Sequence, residues 1–217
     1  MANFILTDKI DEDICKNLIS IFESNANLHY EGKIIGKGGE YDHVDTSRKK
    51  SIDFEFSDLD ITEGDFNYTV VEDYYNSLKN VLSKYTETFP EVNTIPYFRA
   101  TNARIQRYDK DGHFSSWHYE RGPGESINRC LVYMTYLNDV TDGGETEYYF
   151  QKLKVKPVKG KMVVWPTDFT HLHRGITSPT QEKYIATGWY NFWSEVEFHL
   201  HGQLLTQKLM EAESKNK

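Results

Sequence analysis

Apolar residues recur every three to four positions in two early stretches of the chain. The first holds Ile10, Ile14, Leu18, Ile21 and Phe22, and the second Val71, Tyr74, Tyr75, Leu78, Val81, Leu82 and Tyr85. Each spacing predicts a helix with one buried stripe. Asp8, Asp11, Glu12 and Asp13 stand at the start of the first, where carboxylates complement the positive end of the helix dipole. A short strand over Asn3 to Leu6 precedes them, and Cys15 packs beside the stripe. From Asn25 to Asp65 the pattern dissolves into Gly, Asp, Lys and Ser, which predicts a long connection with short strands, most pliant at Gly36-Lys37-Gly38-Gly39. The basic run Arg48-Lys49-Lys50 belongs on a solvated loop of that connection.

Beyond the loop bracketed by Pro90 and Pro96 the period changes. Tyr97 to Tyr108 reads as a strand with Arg104, Gln106 and Tyr108 on one face and Ile105 and Arg107 on the other. Phe114 to Glu120 follows as a second strand. Arg129 to Leu137 is almost continuously apolar, as expected of a strand covered on both faces. Strand chemistry resumes in Glu145 to Phe150, Met162 to Trp165 and Lys183 to Phe192, with turn signals at Asp142-Gly143-Gly144 and Pro157-Val158-Lys159-Gly160. At least six strands with no helical periodicity between them predict a mostly β (α+β) fold. Its core is a double-stranded β-helix, or jelly roll, flanked by the two N-terminal helices. Leu200, Leu204, Leu205 and Leu209 predict a C-terminal helix within Glu195 to Glu213. The expected organisation is one domain over 1–217, with support in 1–96, the barrel in 97–193 and a helix and tail in 194–217.

Composition changes this picture little. A chain of 217 residues that is 38% hydrophobic, with 15 Tyr and 12 Phe, has enough apolar material for one core. The net charge of −8 disfavours a nonspecific nucleic-acid or membrane surface. Only Cys15 and Cys130 are present, both in apolar contexts, so neither a disulfide framework nor a thiolate zinc site is indicated. No basic segment followed by a long apolar one opens the chain, and no apolar run approaches ~18 residues, so a cytoplasmic location is expected.

The candidate chemistry lies between Phe114 and Tyr190. His118 and Glu120 stand two apart, so an extended strand would project an imidazole and a carboxylate from one face. A second imidazole must come from Trp165 to Gly175, which carries His171 and His173 two apart in turn. Two histidines and one carboxylate with open positions suit Fe(II) in an oxygenase.

The set Tyr108, His118-Tyr119-Glu120, Asn138, Gly143-Gly144-Glu145-Thr146, His173-Arg174-Gly175 and Lys183 resembles the 2-oxoglutarate- and Fe(II)-dependent dioxygenases. The branch it resembles is the prolyl 4-hydroxylase-like one, of bacterial or bacteriophage type, and the likeness covers roughly Tyr97 to Trp193. The resemblance implies iron on His118, Glu120 and His173, because in that family the distal histidine lies ten residues before the lysine that pairs with 2-oxoglutarate, and His173 stands so before Lys183. It also implies Lys183 on the co-substrate carboxylate and Tyr108 as a hydroxyl donor nearby; Tyr133, on the buried strand, either donates to the co-substrate or fills the core. Fe(II) and 2-oxoglutarate are the implied cofactor and co-substrate, with ascorbate as a further candidate. One departure stands out: the branch usually has Asp where this chain has Glu120, so the site must widen or the carboxylate must fold back.

The implied activity is hydroxylation of a C–H bond in a prolyl or other residue of a peptide or protein, or in a free amino acid, with succinate and CO2 as co-products. Arg129 and Arg174 are further candidates to neutralise the dicarboxylate. Trp117, Tyr119 and Trp165 would line a dry pocket, and Arg121 to Ser126 would cover it. The alternatives are a lapsed jelly-roll protein that only binds a ligand, and a zinc metalloprotein using the same triad. The expected partner is a peptide or small-molecule substrate, with no nucleic acid or membrane, and either a monomer or a homodimer fits.

Overall fold

The computed structural model describes residues 2–35, 43–94 and 98–194, together with Val196, Glu197, His199, Leu200 and Gln203. In chain order the elements are β1 (Leu6–Lys9), α1 (Glu12–Ser24), β2 (Tyr30–Glu31), β3 (Lys49–Lys50), β4 (Ile52–Glu55), α2 (Phe66–Thr88), β5 (Phe98–Ala100), β6 (Arg104–Tyr108), β7 (His113–Phe114), β8 (Arg129–Tyr136), β9 (Thr146–Tyr148), β10 (Leu153–Val155), β11 (Lys161–Pro166), β12 (His173–Gly175) and β13 (Lys183–Phe192). The large sheet runs β1-β11-β8-β13-β6-β4-β2, with β5 joined to β13. A second sheet, β10-β9-β12, and the short pair β3-β7 stand apart from it. Among the described residues every strand pairing is antiparallel. This is the expected mostly β, jelly-roll arrangement.

Strand parity divides the interior in two. On β8, Leu131 and Tyr133 join the cluster that contains Cys15, Leu18 and Phe22 of α1 and Tyr74, Leu78 and Tyr85 of α2. Val132, Met134 and Tyr136 point the other way, into a cluster with Tyr148, Val155 and Trp165. The strand is thus buried on both faces, as its apolar run predicts. Polar tips fix the helices to the sheet: Tyr190 Oη donates to the Leu78 carbonyl at 2.8 Å, and Tyr74 Oη lies 3.1 Å from Thr135 Oγ1. Leu78 is 1% exposed, so Leu78→Ala is expected to cost about 2–5 kcal/mol through lost burial and the cavity left behind. Urea unfolding would show this as a lower midpoint with an unchanged slope.

Several expectations shift. The first strand lies later than Asn3 to Leu6, because Phe4 takes φ 54° and the Asn3 side chain accepts from the Ile5 N–H, which turns the chain before pairing starts. The strand expected over Tyr97 to Tyr108 splits into β5 and β6, since Thr101 turns its backbone aside to serve Trp189 and Tyr133. Phe114 to Glu120 is not a continuous strand; only β7 and one bridge, His118 to His173, are formed. Lys49 is not solvated but 2% exposed, with Nζ 2.6 Å from the fully buried Asp53. Gly36 to Gly39 lies outside the described residues, as does most of the C-terminal helix, whose few described positions are helical. Among the described residues no helix is long and apolar enough to cross a membrane.

Candidate metal centre and co-substrate pocket

The segment around His118 is held between two neighbours rather than zipped to one. His118 and His173 exchange backbone hydrogen bonds at 3.0 and 2.9 Å, and the N–H groups of Glu120 and Arg121 then both donate to the Thr167 carbonyl. This alternation prevents a regular ladder and still brings the three side chains together. The candidate ligand atoms of His118, Glu120 and His173 all lie within 4.8 Å of one another. Glu120 Oε1 is 3.5 Å from Nε2 of each imidazole.

Proton placement decides what this cluster can hold. His118 Nδ1 lies 2.8 Å from the Ser116 carbonyl, and His173 Nδ1 lies 2.8 Å from the His171 carbonyl. A carbonyl only accepts, so each imidazole donates from Nδ1 and keeps its lone pair on Nε2. Two nitrogen lone pairs and a carboxylate oxygen therefore face one point, an arrangement that repels itself unless a cation sits there. Burial lowers the basicity of His118, with His173 adding to the effect, so its imidazole stays neutral to below its usual 6.5. The donor set is nitrogen, nitrogen and oxygen, which fits a borderline divalent ion such as Fe(II) and has no thiolate to favour a softer one. The residues present fit the metal.

A cavity of about 360 Å3 opens over these groups. His118, Glu120, His173, Tyr108, Lys183, Arg129 and Trp189 all line it. Lys183, first residue of β13, is 7% exposed; its ammonium donates to the Gly144 carbonyl at 3.2 Å and lies 4.7 Å over the Tyr108 ring. Among the described residues no carboxylate lies within ion-pair reach of it, and burial lowers its pKa to about 8. Gly143 and Gly144, at φ 77° and 78°, make the turn that aims this carbonyl. The Gly-Gly turn thus has a role at the site that its sequence alone did not disclose.

Tyr108 is fixed from behind by a buried chain of polar groups. Its hydroxyl donates to Gln106 Oε1 at 3.0 Å, Gln106 Nε2 donates to Asp53 at 2.8 Å, and Lys49 and Ser51 complete the donors to Asp53. Asp53, Ser51 and Lys49 lie in the stretch that reads as solvated loop, and no periodicity marks them. Their only sequence signal is an opposite charge four residues from Lys49.

Other candidates lie elsewhere. Of the two readings of Tyr133, its placement is in the core: it faces the helices, its hydroxyl donates to the Thr101 carbonyl at 2.8 Å, and its ring crosses β13 where only Gly188 leaves room, a Cβ there falling 2.2 Å from Tyr133 Oη. Tyr133→Phe is therefore expected to cost about 1 kcal/mol of stability and to leave the KM for co-substrate unchanged. His171 sits in a 3-10 turn, Phe169–His171, with Nε2 3.0 Å from the Asn3 carbonyl, so the extended-strand parity that left it beside His173 does not apply. Arg174 pairs with Glu147 and stacks on Trp117, outside the cavity. Tyr119 and Trp165 line the cavity as expected, whereas Trp117 packs against Tyr149. The Arg121 to Ser126 loop is tied down by the buried Ser126 hydroxyl, which accepts from the Gly122 N–H and donates to the Pro123 carbonyl.

A family model of the 2OG-Fe(II) oxygenase superfamily matches residues 103–191. A probable prolyl 4-hydroxylase of Arabidopsis thaliana is 32% identical over 44% of this chain and 42% of its own length, so the chain spans less than half of that curated relative. Among solved structures, a viral collagen prolyl hydroxylase from Paramecium bursaria Chlorella virus-1 in complex with 2OG shares the fold with TM-score 0.63 at 17% identity, covering 88% of this chain and 97% of that one. A Pseudomonas putida prolyl 4-hydroxylase gives TM-score 0.61 at 14% identity over 88% and 93% of the two chains. A Trichoplax adhaerens prolyl hydroxylase in complex with a hypoxia inducible factor peptide gives 0.66 at 12% over 88% and 84%. The stretch that matches the 2OG-Fe(II) oxygenase superfamily model, residues 103–191, is the one that brings His118, Glu120, His173 and Lys183 into one cavity.

Proposed function

We propose that this chain, acting as a single domain over 1–217, is a 2-oxoglutarate- and Fe(II)-dependent hydroxylase of the prolyl 4-hydroxylase type. The observation that carries the reading is the one cavity lined both by three converging lone-pair donors and by a buried lysine without a carboxylate partner among the described residues. Bound Fe(II) supplies the dioxygen chemistry that couples conversion of 2-oxoglutarate to succinate and CO2 with hydroxylation of a C–H bond. His118, Glu120 and His173 would hold the ion and leave positions open for co-substrate and dioxygen. Lys183 neutralises the distal carboxylate of 2-oxoglutarate, which is costly to desolvate unless it is paired. Tyr108, its hydroxyl donated to Gln106, holds its ring against the Lys183 ammonium and so helps to aim that charge. Val132, Met134, Trp165 and Ile185 form an apolar wall that excludes water from the reacting groups.

The substrate is a prolyl or related residue in a peptide. The mouth of the cavity, with Lys33, Ile34, Ile35, Arg48 and Tyr119, offers apolar and cationic surface to a chain passing over it, and the Trichoplax relative is one solved with a peptide. A lapsed binding protein is not favoured, because every donor atom the metal needs is present and aimed. The test is aerobic incubation with Fe(II), 2-oxoglutarate and a panel of prolyl peptides and free amino acids. Succinate should form, and one member should gain the mass of a single oxygen atom. Succinate formation equal to that of a His118→Ala control would sink the reading.

A further inference from the structure

Glu120 carries one methylene more than an aspartate would, and the added methylene has two consequences. It moves the carboxylate about one C–C bond, ~1.5 Å, further from the backbone, and it adds a rotatable bond. A carboxylate on that longer tether can turn both oxygens toward an ion, which closes a position that the co-substrate or dioxygen needs. The surroundings of Glu120 restrain that freedom. Oε1 alone faces the imidazoles, at 3.5 Å from each Nε2. Oε2 accepts a hydrogen bond from Trp189 Nε1 at 3.2 Å and lies 3.5 Å from Arg129 Nη1. The same Arg129 nitrogen donates to the Glu120 main-chain carbonyl at 3.0 Å, so one guanidinium reads both ends of the residue.

The donors are themselves immobilised. The Arg129 guanidinium carbon lies 3.5 Å from the centre of the Trp189 ring, and that of Arg104 lies 5.2 Å from it. Trp189 also donates its backbone N–H to Thr101 Oγ1 at 3.0 Å. It stands on β13, the strand between β8 and β6, so the indole N–H is aimed from a rigid element. We propose that Trp189 and Arg129 are positioning residues that hold the outer oxygen of Glu120, so that this longer carboxylate presents only Oε1 to the metal. The proposal rests on the metal-site reading above and explains how the chain accommodates glutamate.

Metal binding reads this out apart from turnover. Wild type, Trp189→Phe, Arg129→Met, Glu120→Asp and the Glu120→Asp/Trp189→Phe pair are titrated with Co(II) and followed by visible absorption, folding being checked by circular dichroism. Phe keeps an aromatic face for Arg129 and removes the donor, and the paired test in the Glu120→Asp background subtracts the effect of its smaller ring. Trp189→Phe should raise the Co(II) Kd by about 10- to 100-fold, the range for groups that orient a metal ligand. Its Co(II) absorption should weaken as the second carboxylate oxygen joins and the coordination number rises. Arg129→Met should raise the Kd in the same direction. In the Glu120→Asp background the shorter carboxylate no longer reaches the indole, so Trp189→Phe should change the Kd less than about twofold. Folded Trp189→Phe or Arg129→Met binding as tightly as wild type overturns the proposal, as does an equal loss from Trp189→Phe in both backgrounds. Failure of the underlying reading looks different: His118→Ala would then bind Co(II) as tightly as wild type.

Discussion

His118→Ala is expected to lower succinate formation at least about a hundredfold, roughly 2.7 kcal/mol in the barrier, while leaving the protein folded. The two effects separate because the residue is tied into the fold mainly through its backbone, the ring adding a stack on Phe114, and serves the site through its ring. The bridge to His173 is made by main-chain groups alone, at 3.0 and 2.9 Å, and survives truncation of the side chain. What is lost is one of three lone pairs directed at a common point. The remaining carboxylate and imidazole would hold a divalent ion weakly and without a fixed set of open positions. Truncation also relieves crowding among like acceptors, so the metal-free variant should melt no lower than wild type. Proton competition gives a second readout. Because burial holds His118 below its usual 6.5, Co(II) affinity should be flat above that pH and fall below it as the imidazole protonates. His118→Ala should lose turnover and the acid limb together; a variant retaining both would move the metal elsewhere.

The layered fold was legible because its determinants are periodic. The 3.6-residue stripes of α1 and α2 and the unbroken apolar run of β8 each report burial directly, and β13 begins at Lys183 and ends at Phe192 as its composition indicates. The convergence of His118, Glu120 and His173 was legible for a different reason: they belong to residue types that are costly to bury without a purpose, and their spacing with Lys183 carries the resemblance noted in the sequence. The missed features depend on contacts between distant segments. Lys49 reads as solvated until Asp53 and Gln106 are brought to it, since burial of a charge follows from its partner and not from its neighbours in sequence. Tyr133 and Val132 differ by one residue and face opposite layers, which an all-apolar strand leaves undetermined. His171 fell outside simple parity because a 3-10 turn ends one residue after Thr170, before β12 starts. Trp189 looked like one more aromatic in a strand, yet its N–H meets the oxygen of Glu120 that faces away from the imidazoles.

Lys183→Met should raise the KM for 2-oxoglutarate by roughly thirtyfold or more, since removing one member of a buried charge pair costs about 2–5 kcal/mol. It should also make the ligand-free protein harder to unfold. Both follow from one fact: in the absence of co-substrate the ammonium is buried with a carbonyl and an aromatic face for company, and burial lowers its pKa from 10.5 to about 8. A lysine whose pKa falls on folding is a liability whenever it is charged, because the unfolded chain binds the proton more tightly. Ligand-free wild type should therefore gain stability as pH rises from about 8 toward 10.5, and Lys183→Met should lack that gain while starting from a higher denaturation midpoint. The dicarboxylate reverses the preference by supplying the missing anion. Affinity for 2-oxoglutarate should then be level below pH 8 and decline above it as free Lys183 gives up its proton, with the decline absent in Lys183→Met. Calorimetric titration with the inert analogue N-oxalylglycine across that range measures the slope. A wild-type KM and an unchanged pH profile in Lys183→Met would place the distal carboxylate of the co-substrate against some other wall of the cavity.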